Sequence, residues 1–208
     1  MLYYSRMRWK IDGMSFDALW QLEGKEASAA VDSIRAGIVS HLYKPCAERY
    51  VISVGATRTV EDFDRYAMGA LPMREHLVFE EVIPLEEGFT IEVFPYLEAR
   101  AVHMAEAPRL LHLLEFSWDP ASRALDKAWP DLVTLLKASA APRVLGLYRF
   151  AARQQALAIV DVAEAAELTR LSLGPGLADA AVTRVEALRD YLGFARDVWR
   201  GYRLDEAA

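Results

Sequence analysis

Apolar and polar residues alternate from Leu2 to Lys10, with Tyr3, Ser5, Met7 and Trp9 on one side and Tyr4, Arg6 and Arg8 on the other, the two-residue period of a strand. Over residues 15–36 the period lengthens to that of a helix: Phe16, Leu19, Leu22, Ala29, Val31 and Ile34 make an apolar stripe that drifts in the middle, Gly24 is a weak point, and Gly37 is a stop. Residues 38–43 and 49–54 read as two more strands. Thr59 is placed to cap a second helix, with Asp62 three positions on and Val60, Phe63, Tyr66, Ala67 and Ala70 in helical period up to Pro72. Residues 77–83 give a fourth strand. The order β-α-β-β-α-β is that of a ferredoxin-like unit.

The same order then returns. Residues 89–94 read as an extra strand, and the small and polar stretch 99–109 as a boundary. Beyond it come a strand at 110–118, a helix at 121–138 with a start or kink at Pro130, strands at 143–150 and 156–162, and a helix at 163–173 stopped by Gly174-Pro175-Gly176. A strand at 181–188 and an added helix at 189–202 follow, with Tyr191, Phe194, Val198 and Trp199 on a packing stripe. An aromatic beside a cation recurs at the same strand end, as Tyr43-Lys44 and Tyr148-Arg149. The pattern therefore predicts an α+β chain of two tandem ferredoxin-like (βαββαβ) units, 1–98 and 110–208. Each sheet has one bare face, and covering one with the other gives an intramolecular dimeric α+β barrel.

Charge narrows the partners. A formal net charge of -6 offers no basic excess to a phosphate backbone, so neither nucleic acid nor an anionic membrane is expected, and a small-molecule ligand is. No apolar run approaches the length of a spanning helix, and Met1-Leu2-Tyr3-Tyr4 leads straight into Arg6, Arg8 and Lys10, which reads as an untargeted cytoplasmic protein. The lone Cys46 rules out an internal disulfide and reads as a buried filler. His41, His76, His103 and His112 show no metal-ligand spacing. The fused pair needs no partner to cover its sheets, and homo-oligomerisation stays open.

Residues 1–86 also carry an ordered set of short motifs: Arg35-Ala36-Gly37, His41-Leu42-Tyr43-Lys44, Arg49-Tyr50, Ser53-Val54, Leu71-Pro72 and Glu81-Val82-Ile83-Pro84-Leu85. In this order and at these separations they resemble the muconolactone isomerase family. The resemblance implies a dimeric α+β barrel and a cofactor-free shift of a double bond in an unsaturated lactone, with Glu26 at the position of the family's presumed base. The chain departs from the family at Met73-Arg74-Glu75-His76-Leu77-Val78-Phe79, which leaves the substrate open, and in the second unit, where Gly146 replaces the motif histidine.

A double-bond shift needs a group that removes and returns a proton and groups that hold the enolate between the two steps. Glu26 is the candidate base; the plainer alternative puts it on a solvated helix face near Lys25. Tyr43 and Lys44 are candidates for holding the enolate oxygen, and His41, on the face of Tyr43, for the pocket or for a hydrogen-bonded core. Tyr50, His76, Tyr148 and Arg149 are candidate substrate-binding residues, and Asp131 falls opposite Glu26 in the second unit. Two other readings fit the same fold. One is a cofactor-free monooxygenase or cyclase acting on aromatic polyketide-like phenols, with Trp9, Trp20, Tyr50, Phe79 and Trp118 as a possible aromatic pocket; the other is a non-catalytic binding module. The direction in which Glu26 points separates them.

Overall fold

In the computed structural model, which describes residues 1–93, 95–96, 110–121, 123–139, 142–174, 177 and 179–200, the first helix begins where the sequence puts a cap. Ser15 Oγ accepts a hydrogen bond from the Ala18 N–H at 3.2 Å, and α1 (Phe16–Arg35) then runs through Gly24 without interruption. It stops at Gly37, whose φ of +71° is the left-handed conformation that glycine takes without cost. Thr59 caps α2 (Val60–Arg65) in the same way, accepting from the Asp62 N–H at 3.0 Å, and a π turn (Tyr66–Ala70) continues it.

The strands are β1 (Leu2–Trp9), β2 (Val39–Pro45), β3 (Tyr50–Ala56), β4 (Leu77–Thr90), β5 (Leu110–Ser117), β6 (Arg143–Phe150), β7 (Gln155–Val162) and β8 (Ala181–Asp190). The later helices are α3 (Ala124–Lys137), α4 (Ala165–Ser172) and α5 (Tyr191–Trp199). Hydrogen bonds join the strands in the order β1-β3-β2-β8-β5-β7-β6-β4, a closed antiparallel barrel, so the α+β barrel expected from the sequence is the fold observed.

Two compact units divide the chain: Met1–Val82 with the segment from Arg189 on, and Ile83–Leu188. The expected boundary at 99–109 lies outside the described residues, as do His103, Pro175 and Gly176 and the end of the expected last helix. The extra strand expected at 89–94 is not a separate element. β4 is one strand of 14 residues that passes through Pro84 and ends at Thr90, because a bulge at Gly88 absorbs the irregularity that looked like a break. A Cβ on Gly88 would lie 3.0 Å from both the Trp129 and Val133 side chains, so the bulge brings strand backbone close against α3.

The internal repeat extends to backbone detail. In the first unit the β2/β3 register slips between Val39 and His41; in the second, β6/β7 slips between Val144 and Gly146, 105 positions on. Ala47 and Ala152, the same distance apart, turn the two strand pairs with φ of +59° and +58°. Trp9 N–H donates to the Arg49 carbonyl and Trp118 N–H to the Gln154 carbonyl, each at 2.9 Å. The cores differ, however. The inner face of α3 buries Leu125, Leu132 and Leu136, whereas that of α1 buries Glu23 and Glu26 beside Leu19, Ala27, Ala30 and Ile34.

A left-handed alanine costs roughly 1–2 kcal/mol, part of which glycine gives back through its greater freedom in the unfolded chain. Ala47→Gly and Ala152→Gly are therefore each expected to raise the thermal midpoint by about 1–3 °C, measured by calorimetry. A fall at either position would show that its methyl packs to more effect than its backbone strains.

Candidate active site

The helical period that makes α1 amphipathic places residues three apart on one face, and here that face carries two carboxyls. Glu23 is 1% exposed and Glu26 9% exposed, and both line a cavity of about 50 Å³ inside the first unit. The rest of the wall is mostly apolar, with Met7, Trp9, Val51, Leu71, Leu77 and Phe79 among its members, and Tyr66 and Tyr191 bring hydroxyls to it.

The two carboxyls are held differently. Glu23 Oε1 accepts from the Tyr191 hydroxyl at 3.0 Å, while Oε2 is buried without a hydrogen-bond partner among the described residues. Burial raises the Glu23 pKa to about 8; the Tyr191 hydrogen bond opposes this and the Glu26 charge adds to it. Glu23 is thus largely protonated at neutral pH. Glu26 Oε2 accepts from the Met73 backbone N–H at 2.9 Å. Its pKa too is raised by burial, with that hydrogen bond pulling it back. The Tyr191 hydroxyl is pushed well above its ordinary pKa by burial and by Glu23, and stays a donor. Tyr66, 3.0 Å from Ser33 Oγ, is raised as well.

Tyr191 reaches the cavity from α5, whose cap Asp190 accepts from the Gly193 N–H at 2.7 Å. Trp199, on the same helix, donates to the Gly24 carbonyl at 3.3 Å, so the glycine that looked like a weak point is where α5 lies close to α1. Glu23 and Tyr191 are the two residues that sequence reasoning missed. A signal for Glu23 was present, since it lies three residues before Glu26 on the same helical face. For Tyr191, separated from Glu23 by most of the chain, there was none beyond its place on an apolar stripe.

The other expected residues are scattered. On β2, Leu42 faces the cavity, so alternation turns His41 and Tyr43 to the opposite side, and neither lines it. His41 is fully buried, 3.0 Å from the Tyr43 hydroxyl through Nδ1, and burial lowers its pKa to about 3, which keeps it neutral. This is the hydrogen-bonded core histidine of the two readings. Lys44 does not line the cavity either; it is buried, with Nζ donating to the carbonyls of Pro45 and Glu48 and 5.4 Å from the centre of the Trp9 ring, which does. Its pKa is lowered by desolvation, with Glu23 among the charges that oppose this.

Tyr50 is covered by Arg6 and Arg8, whose guanidinium carbons stand 5.4 and 5.1 Å from its ring centre, and His76 is half-buried on the short turn Arg74–His76. Neither lines the cavity. In the second unit Tyr148 is buried, Arg149 pairs with Asp126, and Asp131 is exposed, so α3 offers no counterpart to the buried Glu26. Of the aromatic set, Trp9 and Phe79 line the cavity while Trp20 and Tyr50 do not. Cys46 is exposed rather than a buried filler, because it sits at the corner that left-handed Ala47 turns outward. Among the described residues no group of His, Cys, Asp and Glu is arranged to hold a metal ion, and no helix is long and apolar enough to cross a membrane.

No family model and no curated protein matches the sequence. Solved structures do match the fold. A proposed monooxygenase from Lactobacillus acidophilus NCFM aligns over 91% of this chain and 94% of its own, with a TM-score of 0.53 and 14% identity. A mutant chlorite dismutase from Candidatus Nitrospira defluvii aligns over 95% of this chain and 94% of its own, with a TM-score of 0.55 and 10% identity. At such identities the likeness is one of fold, and that fold is the dimeric α+β barrel.

Proposed function

We propose that the first unit is an acid–base enzyme that removes a proton from an apolar, enolisable or phenolic small molecule, with Glu26 as the base and neutral Glu23 as hydrogen-bond donor to the oxygen on which charge develops. The observation that carries this reading is the pair of buried carboxyls, three residues apart on α1, lining one otherwise apolar cavity and held by different partners, Glu23 by the Tyr191 hydroxyl and Glu26 by the Met73 N–H. A base has to ionise near the working pH, and an oxyanion donor has to keep its proton; environments that separate two carboxyls in this way assign the two roles. Glu23 Oε2, with no hydrogen-bond partner among the described residues, is positioned to bond to a ligand, while the Tyr191 hydroxyl fixes the other oxygen.

Two reactions share that first step. Returning the proton two carbons away shifts a double bond, as the motifs of residues 1–86 suggest through their resemblance to muconolactone isomerase. Capture of the carbanion by dioxygen instead converts a CH2 carbon to a carbonyl: one oxygen atom stays in the product, the other leaves as water, and the carbon supplies all four electrons. The fold likeness to a proposed monooxygenase favours this second outcome. In either case the cavity has to widen, since about 50 Å³ accommodates one or two waters at about 30 Å³ each. The yielding wall is the one carrying Phe63 and Tyr66: α2 buries no residue, which puts it at the low end of local stability.

The test pairs two assays on the purified chain: deuterium uptake in D2O, followed by proton NMR with butenolides including muconolactone, and oxygen uptake with anthrone-type phenols. One assay is expected to respond, and Glu26→Gln to lower that response roughly a hundred- to ten-thousandfold with the fold intact. Full activity in Glu26→Gln, or silence in both assays, refutes the reading.

Glu23 makes a separate prediction. With a folded pKa near 8 against an ordinary 4.5, it holds its proton in the folded chain through a window in which the unfolded chain has lost it. Its contribution to stability is therefore complete below pH 4.5 and is lost as the pH rises to 8. Glu23→Gln is expected to flatten this slope, gaining roughly 2–4 kcal/mol at pH 8 relative to pH 4.5 in denaturant unfolding. An unchanged slope would mean that Glu23 is ionised in the folded protein.

A further inference from the structure

The second unit has no buried carboxyl on its long helix, but the corner that corresponds to Trp9, Lys44 and Ala47 is open there. We infer that this corner is a second binding site, independent of the chemistry in the first unit, and that it takes small organic anions bearing a carboxylate or phosphate group. The cleft measures about 580 Å³, within the range of roughly 300–1,000 Å³ typical of ligand pockets. Its charged lining consists of Arg123, Arg149 and Arg153 against the single carboxylate of Asp126.

Asp126 does not neutralise the three cations. Arg149 Nη2 pairs with it, Gln154 Nε2 adds a hydrogen bond to the same oxygen at 3.4 Å, and the Arg149 contact keeps its carboxyl below the ordinary range. Arg149 Nε remains buried without a hydrogen-bond partner among the described residues. The side chains of Arg123 and Arg153 are exposed, and Arg123 acts on Asp126 through charge alone, less strongly than Arg149 does. Two guanidinium groups are thus left over around a concave surface, each a planar fork that matches the oxygens of a carboxylate or phosphate.

Backbone geometry sets this corner apart as well. Of the three non-glycine residues with positive φ among the described residues, Arg123 (φ +47°) and Ala152 both line the cleft. Strain of this kind persists where the surroundings hold the backbone in place, and both strained residues stand at this one opening. Trp118 and Pro120 supply an apolar wall for the body of the ligand. In the first unit the equivalent corner is taken by Lys44, which turns back onto the Pro45 and Glu48 carbonyls and over Trp9.

Isothermal titration of the full chain with phenyl phosphate, benzoate and inorganic phosphate tests the site. At least one of the organic anions is expected to bind at one per chain, more tightly than inorganic phosphate. Arg123→Ala/Arg153→Ala should weaken that binding about tenfold or more, and Arg58→Ala, an exposed cation of the first unit, should leave it unchanged. Both arginines are exposed, and circular dichroism of the double variant checks that its fold is retained. No saturable binding of either organic anion, or affinity that survives the double substitution, overturns the site. Equal affinity for inorganic phosphate overturns the contribution of the apolar wall.

Discussion

A carboxylate cannot be moved from water into an apolar interior without losing its charge or gaining partners, and the first unit is built around that constraint. The inner face of α1 carries Leu19, Ala27, Ala30 and Ile34 in the ordinary way, but Glu23 and Glu26 interrupt it. One of them meets the constraint by staying protonated against Tyr191, the other by taking the Met73 N–H. Everything nearby follows from those two solutions. The helix α5 is needed to deliver Tyr191, and its Trp199 is tied to the Gly24 carbonyl one residue beyond Glu23. The turn after Leu71-Pro72 is needed to present the Met73 amide.

The second unit shows what the same scaffold looks like when its long helix buries no acid; its buried carboxyls, Asp161 and Glu167, lie on β7 and α4 instead. Its register slip, its left-handed alanine and its tryptophan hydrogen bond all match those of the first, yet α3 buries leucines where α1 buries acids. Leucine needs no partner, so α3 calls for no hydroxyl of the kind that Tyr191 gives Glu23. The difference runs the other way at the strand corner. There the first unit folds Lys44 inward, a cation whose neighbours Pro45 and Glu48 supply the carbonyls it needs. The second has arginine in that place, too broad and with too many donors to be satisfied by one turn, and leaves the corner open with two further arginines beside it.

Much of this fold was legible in the chain. Alternation and helical period located the strands and the main helices, and the repeated Tyr-cation pair exposed the doubling, because side-chain period and turn residues are local properties. The bulges were not legible, since one extra residue in a strand leaves no compositional mark; residues 77–83 and 89–94 read as two elements where β4 runs on to Thr90. At the site, Glu26 was legible from its place in an ordered set of motifs. Glu23 was not singled out, because a second acid on a helix is ordinarily a solvated one. Alternation gives the two sides of a strand but not which side carries the cavity, so the place of His41 was not legible; in the structure Leu42 takes the cavity side.

Glu23 also breaks the rule by which helices are usually read, and the break is itself informative. A glutamine there would keep the Tyr191 hydrogen bond, and a leucine would fill the space, both without the cost of holding a carboxyl protonated at a pH where water would ionise it. Structural economy therefore favours any residue but the one present. A protonated glutamic acid offers what leucine lacks, a donor facing the cavity, and a more acidic donor than a glutamine amide. Such a donor, facing a cavity three residues from a second carboxyl, is the arrangement on which the proposed proton transfer rests.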